Sequence, residues 1–274
     1  MKIASSTWMI PGNSFREKME RAVTLGFEGM EVRLLEECAT EDNIRELQNA
    51  FDATGLLPCS LLVPGPIFRC PLSNPDALQK KKDHAMLALD IAARLGAPTL
   101  LAPEYGAQNP LPLFDRPKRP TPEEHELLIE YLAFVSDYAG KAGAVALLEP
   151  LNRYETHFYY TLSDCAQVID EAGASHVKIL ADLFHMGIEE ANVQQAILRY
   201  GNYIGHVQIG DNNRLLPGQG QTNFLPAFGA LKTIGYRGGI ALECGILGDP
   251  VQELAKCVLH LKSLLQQAEV AHGL

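Results

Sequence analysis

Eight short apolar runs, each followed by a stretch with helical spacing, fill this chain from end to end, and that alternation constrains the fold more than any other feature. The runs lie near residues 3–7, 28–33, 58–63, 98–103, 145–149, 177–182, 203–209 and 239–243. The helical patterns lie near 14–25, 41–54, 75–95, 122–142, 161–173, 188–200, 223–234 and 250–268. A strand that reaches the next strand only through a helix pairs with it in parallel, and the helices then cover the sheet. Eight such units fit an α/β fold of one (β/α)8 TIM barrel, with a doubly wound open sheet as the competing arrangement. Gly26, Gly96, Gly143 and Gly235 stand just past helical segments, where a left-handed cap suits glycine. The junctions Leu25-Gly26-Phe27-Glu28-Gly29-Met30-Glu31 and Ile234-Gly235-Tyr236-Arg237-Gly238-Gly239, the second followed shortly by Glu243, echo each other, and no Ser/Gly linker or composition shift interrupts the series. One barrel domain over residues 1–274 is therefore expected.

The chain's 274 residues, 47% of them apolar, suffice for the core of such a barrel. A formal charge of -10 opposes binding to nucleic acid or to an anionic membrane, both of which attract Lys and Arg clusters. The N-terminus enters a strand pattern directly, and no run is long and apolar enough to span a bilayer. The expected location is the cytoplasm. Six cysteines without a C-x-x-C pair read as reduced thiols. The expected partner is a small molecule, and a homodimer or homotetramer is compatible with these features.

Three strands end in an acid. Strand five reads Val145-Ala146-Leu147-Leu148-Glu149 before Pro150, strand six closes on Asp182, and strand eight closes on Glu243. Period-two alternation points Glu149 inward with Val145 and Leu147 and sends Ile240 and Leu242 toward the helices. At the C-terminal mouth of a barrel these carboxylates would repel one another and raise each other's pKa unless a cation sits between them. A divalent metal ion is the economical answer. Strand seven, between two of those acids, offers His206 and Gln208 on one face; Gln208 lies nearer the strand end and is favoured as the fourth ligand. Carboxylates plus an amide oxygen suit Mn²⁺ or Mg²⁺ better than Zn²⁺. The Pro-rich connections 64–74 and 103–122 both follow strands and belong on the same face. Trp8, Phe68, Phe114 and Phe158 are candidates for the pocket wall, and Cys244 adjoins Glu243.

The segments Glu149-Pro150-Leu151-Asn152-Arg153-Tyr154-Glu155-Thr156, Asp182-Leu183-Phe184-His185-Met186 and Gly205-His206-Val207-Gln208-Ile209-Gly210-Asp211-Asn212-Asn213-Arg214, with Pro217-Gly218-Gln219-Gly220 after them, resemble the ketose 3-epimerases of the tagatose 3-epimerase type. These belong to the xylose isomerase-like barrel superfamily, and the resemblance runs from strand five to strand eight. It implies Glu149, Asp182 and Glu243 as metal ligands, Glu149 and Glu243 also as an acid/base pair, and Glu155, His185 and Arg214 as groups that bind substrate oxygens. Gln208 departs from the pattern, because such epimerases place a histidine there; glutamine is similar to the hydroxypyruvate isomerase branch.

The implied reaction is epimerisation of a free ketose at C3 through an enediolate, with two carboxylates on opposite faces of the carbon. One carboxylate moving the proton to the neighbouring carbon would instead give an aldose–ketose isomerase such as hydroxypyruvate isomerase. Dehydration of a cyclic ketopolyol (an inosose-type substrate) and non-catalytic sugar binding are further alternatives. A zinc nuclease of the same superfamily needs histidines at the ends of strands three and four, which here read Val63-Pro64-Gly65-Pro66 and Ala102-Pro103-Glu104-Tyr105.

Overall fold

The computed structural model describes residues 1–68, 70, 72, 75–102 and 118–271. The strands are β1 (Lys2–Ser6), β2 (Gly29–Arg33), β3 (Leu57–Leu62), β4 (Thr99–Ala102), β5 (Ala146–Leu148), β6 (Val177–Asp182), β7 (Ile204–Ile209) and β8 (Gly239–Leu242). Each edge lies within one residue of its expected place. Neighbours pair in parallel in chain order, and β8 pairs with β1, so the sheet closes into a barrel and the open-sheet alternative is excluded. Residues 103–117, with Phe114 and most of the second Pro-rich connection, lie outside the described residues.

Helices α1 (Phe15–Leu25), α2 (Glu41–Thr54), α3 (Pro75–Leu95), α4 (Pro122–Ala142) and α5 (Leu162–Glu171) follow the first five strands. The segment after β6 departs from expectation. In place of one helix over 188–200 there are two, α6 (Leu183–Glu189) and α7 (Val193–Tyr200), before α8 (Leu225–Thr233) and α9 (Pro250–Ala271). The cause is capping chemistry. Asp182 accepts a hydrogen bond from the backbone N–H of Phe184 and starts α6 at once, while Asn192 accepts from Gln195 and starts α7 afresh. No helix among the described residues is long and apolar enough to cross a membrane.

Strand parity sorts side chains into two environments. Met30, Val32, Ile179, Val207, Ile209, Ile240 and Leu242 face outward into the main core shared with the helices. Inside the barrel, Ala4, Cys59 and Ala241 form a floor of small residues. A Cβ added at Gly29 or Gly239 would meet the Cys59 sulfur at 2.5 or 2.3 Å, so those glycines are what let β2 and β8 close around that thiol. Leu62, Phe68, Leu100, Leu147 and Leu180 fill another part of the interior. Between β2 and β3 the register shifts, Met30 opposing Pro58 and Glu31 opposing Ser60, so Cys59 is the extra residue of a bulge. The bulge sets Ser60 beside Glu31 inside the barrel.

Candidate active site

The C-terminal mouth holds a cavity of about 520 Å³, whose polar wall includes Glu149, Glu155, His185, Arg214 and Glu243. Trp8, Arg33 and Phe68 line it from the side of β1 to β3. Phe158 is buried against His157 at 4.5 Å between ring centres and belongs to the core rather than to this wall. Cys244 borders the cavity, but burial pushes its thiol up to about 12, so it remains an un-ionised thiol at neutral pH.

Four consecutive strands, β5 to β8, each deliver one oxygen-bearing side chain at or near the strand end: Glu149, Asp182, Gln208 and Glu243. Glu149 and Asp182 are buried and Glu243 is partly buried. Glu149, Asp182 and His185 present ligand atoms within 4.8 Å of one another. Glu243 stands with a different partner. The Arg214 guanidinium bridges it to Asp182 and lies 4.5 Å from the centre of the Phe184 ring. Arg214, expected to bind substrate oxygens, therefore pairs with two of the candidate ligands themselves.

The electrostatics follow from that bridge. Burial, reinforced by the charges of Glu243 and Asp182, drives the Glu149 carboxyl well above the usual range. Burial pushes Glu243 up to about 8, with Glu31 and Asp182 adding to the rise and Arg214 opposing it. Burial acts the same way on Asp182, but Arg214 and His185 outweigh it and hold that carboxyl below its ordinary value. The expectation of mutual elevation thus describes two of the three acids. Asp182 escapes because it takes the guanidinium and the cap of α6.

His185 sits in the first turn of α6, and Asn152 fixes its tautomer. The Asn152 backbone N–H reaches Nδ1 at 3.3 Å and its side-chain amide at 2.8 Å, so Nδ1 is the acceptor and the proton lies on Nε2. Nε2 is 3.5 Å from Asp182 and 3.8 Å from Glu149. The orientation of Asn152 is set in turn, since its amide also donates to Glu155 and its oxygen accepts from Tyr154 N–H. A neutral imidazole held this way offers the site a donor rather than a lone pair, which suits a substrate oxygen better than a metal ion. Arg153 binds Glu189 through its guanidinium and its backbone N–H, which leaves the Glu155 carboxylate to Asn152 and the cavity.

Gln208 is paired in register with Asp182, whereas His206 is paired with Leu180, one layer deeper. The Gln208 amide nitrogen donates to Glu31 at 2.8 Å, and its oxygen Oε1 is buried without a hydrogen-bond partner. A buried acceptor left unpaired costs about 1–3 kcal/mol. An orphaned amide oxygen level with Asp182 therefore fits a divalent cation held by the surrounding carboxylates. Glu31, Asn152 and Arg33 are the residues that sequence reasoning passed over. For Glu31 the signals were its place in the junction that echoes the one before Glu243 and the period-two alternation of Gly29-Met30-Glu31-Val32, which faces an acid inward between two buried apolar residues.

Arg214 reaches the acids from a strained backbone. Its φ of 57° is the one left-handed value at a non-glycine among the described residues, a conformation that costs about 1–3 kcal/mol. The loop that enforces it is wound around Asp211, whose carboxylate accepts from the backbone N–H groups of Asn212, Gly218, Gly220 and Thr222 at 2.8–3.0 Å. Asp211→Ala leaves those donors without their acceptor, at about 2 kcal/mol or roughly thirtyfold in loop opening. The expected result is proteolytic cleavage within 211–222 accelerated by that factor, in a barrel that otherwise melts normally.

A closed parallel barrel whose mouth is lined by converging carboxylates is the architecture of a (β/α)8 enzyme. Residues 19–264 match the xylose isomerase-like TIM barrel family, and the chain belongs to it. It is 30% identical to the 3-dehydro-D-guloside 4-epimerase of Escherichia coli K12, over 92% of this chain and 95% of that one. The D-psicose 3-epimerase of Enterocloster bolteae is 39% identical over 42% of this chain and 38% of its own length. The apo crystal structure of an E. coli 3-keto-D-glucoside 4-epimerase superposes with a TM-score of 0.85 at 27% identity, covering 96% of this chain and 99% of that one. The protein is accordingly an enzyme of the epimerase and isomerase class.

Proposed function

We propose that the protein is a divalent metal-dependent sugar epimerase that inverts the carbon beside a ketone, C3 of a free ketose, by deprotonation on one face and reprotonation on the other. One observation carries the reading. Glu149 just past β5 and Glu243 just past β8 are carboxyls that burial lifts above their ordinary values, Glu243 to about 8, with Asp182 and the unpaired oxygen of Gln208 on the strands between them. An acid that must both take and give a proton works best with a pKa near the operating pH.

Glu149, Asp182, Gln208 and Glu243 would hold Mn²⁺ or Mg²⁺, which supplies Lewis-acid stabilisation of enediolate charge. Within that frame one glutamate removes the proton and the other returns one to the opposite face. The Nε2–H of His185 donates to a substrate oxygen, and Glu155, oriented by Asn152, accepts from a hydroxyl. With Asp182 and Glu243 engaged in holding the metal, the Arg214 guanidinium would be left to bind a substrate oxygen. The site would work in the cytoplasm, in keeping with six cysteines that are all free thiols.

A second reading has a specific observation behind it. The full-length likeness to a 4-epimerase of a 3-dehydro sugar favours inversion at C4 of a 3-keto glycoside, again the carbon beside a ketone. Incubation of the Mn²⁺-loaded protein with a ketose panel and 3-keto glycosides in D₂O separates the readings. Exchange at C3 of a ketose is expected, exchange at C4 of a 3-keto glycoside selects the second reading, and exchange at C1 makes the enzyme a ketol-isomerase. No exchange with any of them overturns the enzymatic assignment to sugars.

The metal assignment has its own test. Gln208→Ala is expected to weaken Mn²⁺ binding by about 10–100-fold, and His206→Ala, one layer below, by clearly less. Equal or reversed losses in titration calorimetry would move the fourth ligand to His206.

A further inference from the structure

We infer that Glu31 is the positioning residue that aims Gln208 at the metal, so that the ligand set of this enzyme depends on a carboxylate from the far side of the barrel. The inference rests on the metal reading above and goes beyond it by assigning a role to a residue that no strand-end pattern marks. Glu31 is buried at 2% exposure in the middle of β2. One of its oxygens, Oε2, accepts from three side chains: Ser60 Oγ at 2.8 Å, Gln208 Nε2 at 2.8 Å and His206 Nε2 at 3.0 Å.

An amide side chain can turn over and exchange its oxygen for its nitrogen, and a metal ion tolerates only the oxygen. Glu31 removes that freedom. An acceptor-only carboxylate beside Gln208 holds the NH₂ group and leaves Oε1 facing elsewhere, and Oε1 is the atom found buried and unpartnered. Three donors converge on that single oxygen, so the acceptor that faces the Gln208 amide is fixed from two further sides by Ser60 and His206. Ser60 reaches it because of the β3 bulge, so the irregularity in the strand serves the same acceptor.

The arrangement also accounts for glutamine at this position. Metal-bound histidines commonly pass their second ring N–H to a carboxylate that fixes ring orientation and tautomer. A glutamine in place of such a histidine keeps the same logic, with the amide N–H on the carboxylate and the other polar atom free for the cation. Glu31 can therefore orient either side chain.

The test is a thermodynamic cycle read by Mn²⁺ titration calorimetry on the full chain, with metal-free thermal melts recorded alongside. Glu31→Ala is expected to lower Mn²⁺ affinity by about 10–100-fold, and Glu31→Ala/Gln208→Ala is expected to bind no more weakly than Gln208→Ala alone, because the effect passes through Gln208. Affinity of Glu31→Ala within threefold of wild type overturns the inference, as does a further tenfold loss in the double variant, which marks a general electrostatic or structural role. If Glu31→Ala does not fold, the crystal structure of the Mn²⁺-loaded wild type decides: Oε1 of Gln208 on the ion with Nε2 on Glu31 upholds the assignment, and any other arrangement of the pair overturns it. A wild type that binds Mn²⁺ while Glu31→Ala binds it equally well removes only the role of Glu31. A wild type that binds no Mn²⁺ removes the metal reading with it.

Discussion

Glu149→Gln and Glu243→Gln, assayed separately at saturating Mn²⁺, are each expected to lower epimerisation by about 10²–10⁴-fold, the range typical for loss of a general acid/base. The sharper signature lies in isotope exchange. If one carboxyl serves each face of the reacting carbon, removing one leaves the other able to take a proton from a single epimer and return solvent deuterium to the same face. Each variant should then wash deuterium into one epimer without interconverting the two, and the two variants should choose opposite epimers. A single-base mechanism would abolish exchange with both epimers in one variant and spare both in the other. The fold should survive, because these side chains are a cost to the metal-free protein: burial lifts both carboxyls far from the values they hold in an unfolded chain. A neutral amide of the same shape removes that cost, so the metal-free variants should melt above wild type at alkaline pH. A variant that retains near-normal epimerisation would end the acid/base assignment.

The barrel was legible because each strand and helix announces itself locally. Alternation of inward and outward residues needs only the few residues of one strand, and it correctly paired His206 with Gln208 and set Ile240 and Leu242 against the helices. The split of the segment after β6 was less visible, since Asp182 reads equally as the last residue of a strand and the cap of a helix, and it is both. The contacts that organise the mouth were not legible at all. Glu31 meets partners 29 and 177 residues away, and Asn152 meets His185 across 33. No local period encodes such distances; only closure of the barrel brings β2 against β7. Arg214 illustrates the same point, for its charge and its Asn-rich turn were plain in the sequence, while its grip on Asp182 and Glu243 depends on the loop wound around Asp211.

The same raised carboxyls make metal binding strongly dependent on pH. With burial pushing Glu243 up to about 8, the metal-free site carries a proton at neutral pH that a cation must expel, and the raised Glu149 carboxyl acts in the same direction. Apparent Mn²⁺ affinity is therefore expected to rise about tenfold per pH unit for each proton displaced, and to flatten once pH exceeds the pKa of the group concerned. Titration calorimetry in buffers of different ionisation enthalpy should record proton release at pH 7 that declines above pH 8. The sign for stability follows from the same linkage. A carboxyl whose folded pKa is raised favours the fold fully below the unfolded value near 4.5, and that contribution is lost as pH climbs through about 8. Asp182, held low by Arg214, acts in the opposite sense, supporting the fold above the ordinary aspartate range and losing that support only in acid. Metal-free protein should thus lose melting temperature from pH 5 to 8 while the Mn²⁺-loaded protein does not, and the gap between the two should widen across that interval. An affinity for Mn²⁺ that stays constant between pH 6 and 8 would mean that the site holds no displaceable proton, and the acid/base pair would have to be sought outside the carboxylates of β5 and β8.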